Sequence, residues 1–275
     1  YQNKQYQKQA AYQAQLDSIA LVKQIQADSI AAVEAAQRMS SDTASVAQVA
    51  AAPVSIYKDS LLEAAHSAEA QIVTLANDKF EVAFTTKGAQ PYSVKINEYS
   101  SYGGGELFIF KPEMSRYDIQ VYAGETINTA DFNFVVAEKT DTSLAMRLPF
   151  AGGGYIEQRY SIAEGSYSVK NYLSFVGMEN VIPKNVFSFD VDYFVTMPRM
   201  EKGYKSEVQY SKLDYYFNGE KKPEAIAKGR SAQKRVDARV SWFAFQQQFF
   251  SAIMRSPQEF ASADFALNYF PEDDE

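Results

Sequence analysis

From Ile72 onward the chain is a succession of short segments rich in Val, Ile, Tyr and Phe, bounded by Gly, Asn, Asp or Ser, with no helical pattern between them. QIVTLANDKFEVAFTTKG shows the type. Val73 and Leu75 alternate with polar neighbours, Asn77-Asp78 supplies a turn, and Phe80, Val82 and Phe84 resume the alternation. A period of two puts apolar side chains on one face of a strand and polar ones on the other. YSVKINEY, a SYGGG turn and ELFIF follow. Further strands are expected at 117–122, 132–137, 143–148, 155–162, 168–175, 187–196, 207–210 and 213–217. The 19 Tyr and 19 Phe supply β-favouring residues throughout. FNGEK at 217–221 reads as a two-residue hairpin, because Asn-Gly accepts the positive φ of a type I′ turn. Strand after strand without crossover helices predicts an all-β fold, a large antiparallel sandwich over 72–270.

The first 40 residues have a different texture. They are rich in Gln and Ala and lack Pro and Gly, which favours helix. QLDSIALVKQI at 15–25 is echoed by QADSIAAVEAA at 26–36. That period of 11 suits a nearly straight helix with a thin apolar stripe of Leu16, Ile19, Val22, Ile30 and Val33. Residues 1–40 are therefore expected to be a helical spacer. Residues 41–71 are small and polar around Pro53 and read as a flexible linker, with the lone His66 exposed in it. PEDDE at 271–275 reads as an acidic tail.

The net charge of −7 argues against nucleic acid, because phosphate neutralisation needs clustered Lys and Arg. The absence of Cys removes disulfides, thiolate metal sites and Cys nucleophiles. With one His and no Cys, no metal site, cofactor or Ser-His-Asp triad is expected. No run of 18 apolar residues is present. The chain begins at Tyr1 without Met, so a fragment or processed form is expected, with any anchor outside it.

Three other features have a chemical and a plain reading. The Gly runs at 103–105 and 152–154 are followed by neither Lys-Ser/Thr nor a helix start, so they read as turns rather than phosphate cradles. Asp190 and Asp192 share one face of a strand, as a solvated face or, if buried, a glycosidase-like pair. Lys228, Arg230, Lys234, Arg235 and Arg239 within 227–239 would either meet an anionic surface or offset acidic surroundings; the second is the plainer reading.

The densest aromatic stretch is VSWFAFQQQFFSAIM at 240–254, which holds the only Trp. As a helix it would align Trp242, Phe245, Phe249 and Ile253 on one face. As strands, 242–245 and 249–254 would flank the Gln triplet. Either way most of these rings are expected to be buried, with one or two left for a partner. Trp242, Phe245, Gln248, Phe249 and Phe250 are the candidate binding residues.

WFAFQQQFFSAIM resembles the Trp-x-x-x-x-x-Gln-x-Phe/Tyr-Phe stretch in the periplasmic domain of bacterial YidC-type membrane protein insertases, in its spacing of Trp242, Gln248, Phe249 and Phe250. VTLANDKFEVAFTTKGAQPYSVKINEY at 73–99 is similar to that domain's first strands, through Asn77, Asp78, Thr86, Lys87 and Gly88. IEQRYSIAEGSYSVKNYLSF at 156–175 is similar too, and the Asp-Ser-Ile helix resembles the Bacteroidetes-type branch. The resemblance implies a mutarotase-like β-supersandwich on the periplasmic face of the bacterial inner membrane, tethered by a transmembrane helix outside this chain. It implies a non-catalytic, chaperone-like role, with Sec translocon subunits and nascent membrane proteins as partners. In that family further strands follow the aromatic stretch, whereas about 20 residues follow Met254 here. The rival expectation is a carbohydrate-binding or carbohydrate-active sandwich, with Tyr and Trp stacking on sugar rings. A third is a structural spacer domain that binds nothing.

Overall fold

The computed structural model describes residues 57–226 and 230–269. The helix expected over 1–40, the first part of the expected linker and the acidic tail lie outside the described residues. Chain order begins with helix α1 (Ser60–Ser67), β1 (Ile72–Ala76), β2 (Phe80–Thr85), β3 (Gln90–Ser100) and β4 (Glu106–Phe110). Then come β5 (Ser115–Tyr122), β6 (Thr126–Asn128), β7 (Val135–Lys139), β8 (Ser143–Pro149), β9 (Tyr155–Ile162), β10 (Val169–Val176) and β11 (Asp190–Val195). Helix α2 (Tyr204–Tyr210) precedes β12 (Lys212–Phe217), β13 (Glu224–Ile226), β14 (Ala232–Val236), β15 (Val240–Gln246), β16 (Ser251–Phe260) and β17 (Ala263–Leu267).

The strands form sheets β1-β2-β3-β4, β10-β9-β8-β7, β11-β5-β6, β13-β12-β15-β16 and β14-β17. Pairing within them is antiparallel, as the run of strands without crossovers predicts. Leu75, Phe80, Val82 and Phe84 from the first sheet meet Leu144, Met146, Leu148, Ile156 and Tyr160 from the second in one buried cluster. Phe84 and Tyr160 bring their ring centroids to 4.4 Å, so the two sheets face each other as a sandwich. A smaller cluster of Leu213, Tyr215, Ile226, Val236, Val240 and Phe265 holds the C-terminal strands.

Four expectations need correction. Residues 60–67 are a helix and not linker. The Asp59 carboxylate caps it, accepting the N–H groups of Leu61 and Leu62, and Leu62 and Ala65 one turn apart enter the first core. Residues 207–210 belong to α2, whose N–H of Glu207 bonds back to the Gly203 carbonyl. The strand expected at 132–137 begins only at Val135, because Phe132 and Phe134 turn into the core while the Asn133 N–H is held by the Ala65 carbonyl. The hairpin expected at FNGEK is a longer loop between β12 and β13. Gly219 takes φ +102 there, but Asn218 does not adopt the positive φ that a type I′ turn requires.

The turn between β2 and β3 joins three sheets. Gly88 (φ +74) and the buried Ala89 (φ +48) both lie in the left-handed region. A methyl on Gly88 would approach Ala130 Cα to 3.0 Å. From β9 the Gln158 amide donates to the Gly88 carbonyl (3.2 Å) and the Tyr160 hydroxyl to the Ala89 carbonyl (2.7 Å). The Gln90 amide oxygen accepts the N–H of Tyr117 in β5. Beside it, fully buried Asp118 accepts from Arg116, Thr129 and the Ala130 N–H. Gly88, part of the motif singled out above, thus ties the first sheet to β9 of the second, while Thr86 and Lys87 hold the segment at Asp131, Asn133 and Phe134. Asn77 and Asp78 anchor too, bonding across to the β9–β10 turn at Ala163, Gly165 and Ser166.

Candidate functional site

The aromatic stretch is two strands, β15 and β16, joined by a turn in which the Gln247 N–H donates to the Phe250 carbonyl (2.9 Å). β-branched and aromatic residues at alternating positions win over the helical spacing here because each strand finds a partner: β15 pairs with both β12 and β16. The five candidate residues do not form one surface. Trp242 and Phe245 are three apart and so point to opposite faces of β15. Trp242 stacks on Tyr216 (centroids 6.3 Å, 15° between planes), whereas Phe245 packs between Phe243 and Tyr193 at 5.8 Å from each. Phe250 sets its edge against Tyr99 at 5.7 Å and reaches the first core. Gln248 is half-buried, and Phe249 at the tip of the turn is 68% exposed. Burial of most of these rings is therefore only partly met. Ile253 on the edge strand β16 is exposed as well.

Other candidates fall on the plain side of their two readings. Asp190 and Asp192 are exposed on β11. The glycine runs are turns: the Gly104 N–H bonds to the Ser101 carbonyl, and that of Gly153 to the Phe150 carbonyl. His66 is half-buried rather than exposed, with Nδ1 3.0 Å from the Asp131 carbonyl. Lys228 lies outside the described residues. Lys234 pairs with Glu224, Arg235 with Asp237 and Asp264, and Arg239 reaches Glu259 at 3.8 Å. That basic run offsets acidic neighbours.

Titration follows packing. Burial pushes the phenols of Tyr117 and Tyr193 up to about 12 and Tyr160 well above its ordinary value. Burial also pulls the Glu157 carboxyl up, but the bonds from Arg147 (2.7 Å) and Arg159 (3.2 Å) outweigh it and hold the group below its usual value. Glu207 goes the other way. It is raised chiefly by burial, although its carboxylate accepts the Met200 N–H at 3.0 Å. Among the described residues no group of three or more His, Asp or Glu is placed to hold a metal ion.

Among the described residues a concave surface lies on the β3–β4 hairpin, which the strand pattern alone did not single out. One cavity of about 510 Å³ is lined by Lys95, Asn97, Tyr99, Ser100, Gly105 and Glu106. It sits where the pairing slips between Ile96 and Ser100. A second, of about 270 Å³, lies between Tyr102, Leu107, Phe108 and Lys111 of the hairpin region and Pro198, Arg199 and Met200 of the crossing to α2. The Gln247 amide donates to the Pro198 carbonyl (2.9 Å), tying the aromatic turn to the wall of this second cavity. The available signal was EYSSYGGG itself, whose Tyr, Ser and Gly are the residues of adaptable contact surfaces.

No family model matches the chain. It is 28% identical over 221 residues to the membrane protein insertase YidC of Phocaeicola vulgatus, covering 80% of this chain and 35% of that protein. It is 26% identical over 252 residues to that of Bacteroides fragilis, covering 91% and 39%. With that of Parabacteroides distasonis it shares 25% over 204 residues, covering 73% and 32%. The chain spans about a third of the length of the curated relatives it matches. No helix among the described residues is long and apolar enough to cross a membrane. The resemblance drawn from Trp242, Gln248, Phe249 and Phe250 extends over most of the sequence, and the chain is related to the YidC-type membrane protein insertases of Bacteroidetes.

Proposed function

We propose that this chain is the periplasmic domain of a YidC-type insertase and that it works by binding rather than by catalysis. One observation carries the reading: relatives named membrane protein insertase match most of this chain with about a third of their own length. The antiparallel sandwich agrees with the supersandwich that the resemblance implies. A transmembrane helix outside this chain tethers the domain to the inner membrane, and Sec translocon subunits or nascent membrane proteins are its partners. Phe249, with Gln248 beside it, offers the contact in the aromatic stretch; Trp242, Phe245 and Phe250 support it through Tyr216, Tyr193 and Tyr99. The carbohydrate reading has little to stand on, since Asp190 and Asp192 are exposed and line neither cavity described above.

The test is photo-crosslinking in membranes from a reactive residue at Phe249 in the full-length protein. Crosslinks to translocon subunits or nascent chains are expected, and a control residue at Tyr122, also exposed, should give fewer. Equal yields from both positions would sink the proposal in favour of a spacer domain.

A further inference from the structure

Strand β11 is an open edge. In the sheet β11-β5-β6 it pairs with β5 alone. The alternation of that ladder fixes which groups are left over. On β5 the Tyr117 N–H goes to the Gln90 side chain and the Ile119 N–H to the Thr129 hydroxyl, so neither bonds to β11. Just past the strand, the Thr196 N–H donates to the Met114 carbonyl (2.6 Å) in the same alternation. The bonded pairs are therefore Asp190 with Gln120, Asp192 with Asp118 and Phe194 with Arg116. Val191, Tyr193 and Val195 turn their N–H and C=O groups away from β5, and none of these groups is bonded among the described residues. No Lys, Pro or bulge blunts the strand.

The side chains determine what fits along that edge. Asp190, Asp192 and Phe194 share one face of β11 and are exposed, whereas Val191, Tyr193 and Val195 are half-buried on the other. Residues directly opposite in an antiparallel pair share a face, so Arg116, Asp118 and Gln120 of β5 join the first three. That face holds one cation and three carboxylates. The Arg116 guanidinium is taken by fully buried Asp118 at 2.8 Å and acts on Asp192 only through space. Among the described residues neither Asp190 nor Asp192 has an ion pair. The face is thus net negative with Arg116 counted. A strand added at this edge would set alternate residues beside Asp190 and Asp192, and those between them beside Val191 and Tyr193. Cross-strand pairing favours Lys or Arg at the first positions and apolar side chains at the second. A second copy of β11 would bring like charge instead.

We propose that the free edge of β11 is a strand-addition site for an extended partner segment in which Lys or Arg alternates with apolar residues. The outward N–H and C=O groups of Val191, Tyr193 and Val195 supply the backbone bonds, and Asp190 and Asp192 select the basic side chains. This site is separate from Phe249 and does not depend on the insertase reading, because it is tested on the 275-residue chain.

The experiment follows the backbone amides of that chain by NMR and hydrogen exchange during titration with blocked heptapeptides. Thr-Val-Lys-Val-Lys-Val-Thr is expected to give saturable shifts over 190–195 and to slow exchange at Val191, Tyr193 and Val195. Thr-Val-Glu-Val-Glu-Val-Thr should bind at least about fivefold more weakly. So should Thr-Val-Val-Lys-Lys-Val-Thr, which keeps the charge and breaks the alternation. D190N combined with D192N, both at exposed positions, should leave the remaining spectrum unchanged and abolish the preference for Lys over Glu. Equal binding of the alternating and rearranged basic peptides would mean charge attraction alone and overturns the proposal. So does a Lys preference that survives in the double variant, the absence of saturable shifts at ~1 mM peptide, or slowed exchange confined to another strand. Protection of Val191, Tyr193 and Val195 that grows with chain concentration alone would assign the edge to a second copy and overturn it as well.

Discussion

Tyr160 and Tyr215 are both buried on central strands, and each must satisfy a hydroxyl that is costly to leave unpaired. Tyr160, in the first core, donates inward to the Ala89 carbonyl, with Gln158 beside it. Tyr215, in the C-terminal cluster, donates outward to the Glu224 carboxylate, which Lys234 also binds while lying 5.2 Å from the Tyr215 ring. The difference follows from size. Among the described residues the first cluster has twenty-four buried residues and the second six, so only the first has an interior deep enough to hide a neutral polar network. The second must close its rim with ion pairs at the surface, where each contributes little.

The largest expected effects test whether the two clusters are separate cooperative units. Phe84→Ala should cost about 3–5 kcal/mol, a large part of the stability of such a domain, and should lower the midpoint of chemical denaturation for every strand. Leu213→Ala should cost about 2–5 kcal/mol but act locally. Hydrogen exchange should then show lost protection in β12–β17 with β1–β10 still protected. Simultaneous loss across both sets would mean that the seam formed by Tyr193, Phe243 and Phe245 welds the clusters into one unit, and the comparison would fail.

A smaller effect separates the two tyrosines. Tyr160→Phe leaves the Ala89 carbonyl buried without its donor and should cost about 1–3 kcal/mol. Tyr215→Phe removes a bond to a carboxylate that keeps Lys234 and contacts water, and should cost under about 1 kcal/mol. Urea denaturation of the two variants checks the order, and the reverse order would mean that the rim of the small cluster contributes more than its exposure suggests.

The first core was legible in the sequence because period-two alternation reports burial on one face directly. Leu75, Phe80, Val82 and Phe84 are core residues as the strand pattern predicts, and Val73 packs against them half-buried. In the C-terminal part the pattern is weaker. In β16 the exposed face carries Ile253 and the half-buried face Met254 and Ser256, so polarity no longer marks the inside. β14 and β17 were not foreseen for the same reason, since AQKRV and ADFAL each bury one apolar end residue or a single Phe. Helix α1 was hidden by the small, polar composition around Pro53, although Asp59 followed by Ser60-Leu61-Leu62-Glu63 is a capping signal. The cavity beside Arg199 was beyond reach for a different reason. Tyr102 and Arg199 are 97 residues apart, and only the path of the crossing from β11 to α2 brings them together.

The smallest effect concerns that crossing, where the two clusters meet. Met200 belongs to the first core, and its N–H is held by Glu207 of α2, which leads into the second. Burial raises the Glu207 carboxyl above its ordinary 4.5, with the neighbouring Glu201 adding to the rise and Arg199 opposing it. The folded chain therefore keeps this proton to a higher pH than the unfolded chain. Stability from this group is greatest below the unfolded value and falls as pH rises through the folded one. Glu207→Gln keeps an oxygen for the Met200 N–H and removes the titration. The variant should match or exceed the parent in melting temperature at pH 7 and lose that advantage by pH 4. Thermal unfolding between pH 4 and 8 checks this. A loss of stability that grows as pH rises would show that α2 is fastened by the charge-assisted bond to Met200 rather than weakened by a buried carboxylate. The seam would then be stronger than either Tyr193 or Gln247 alone indicates.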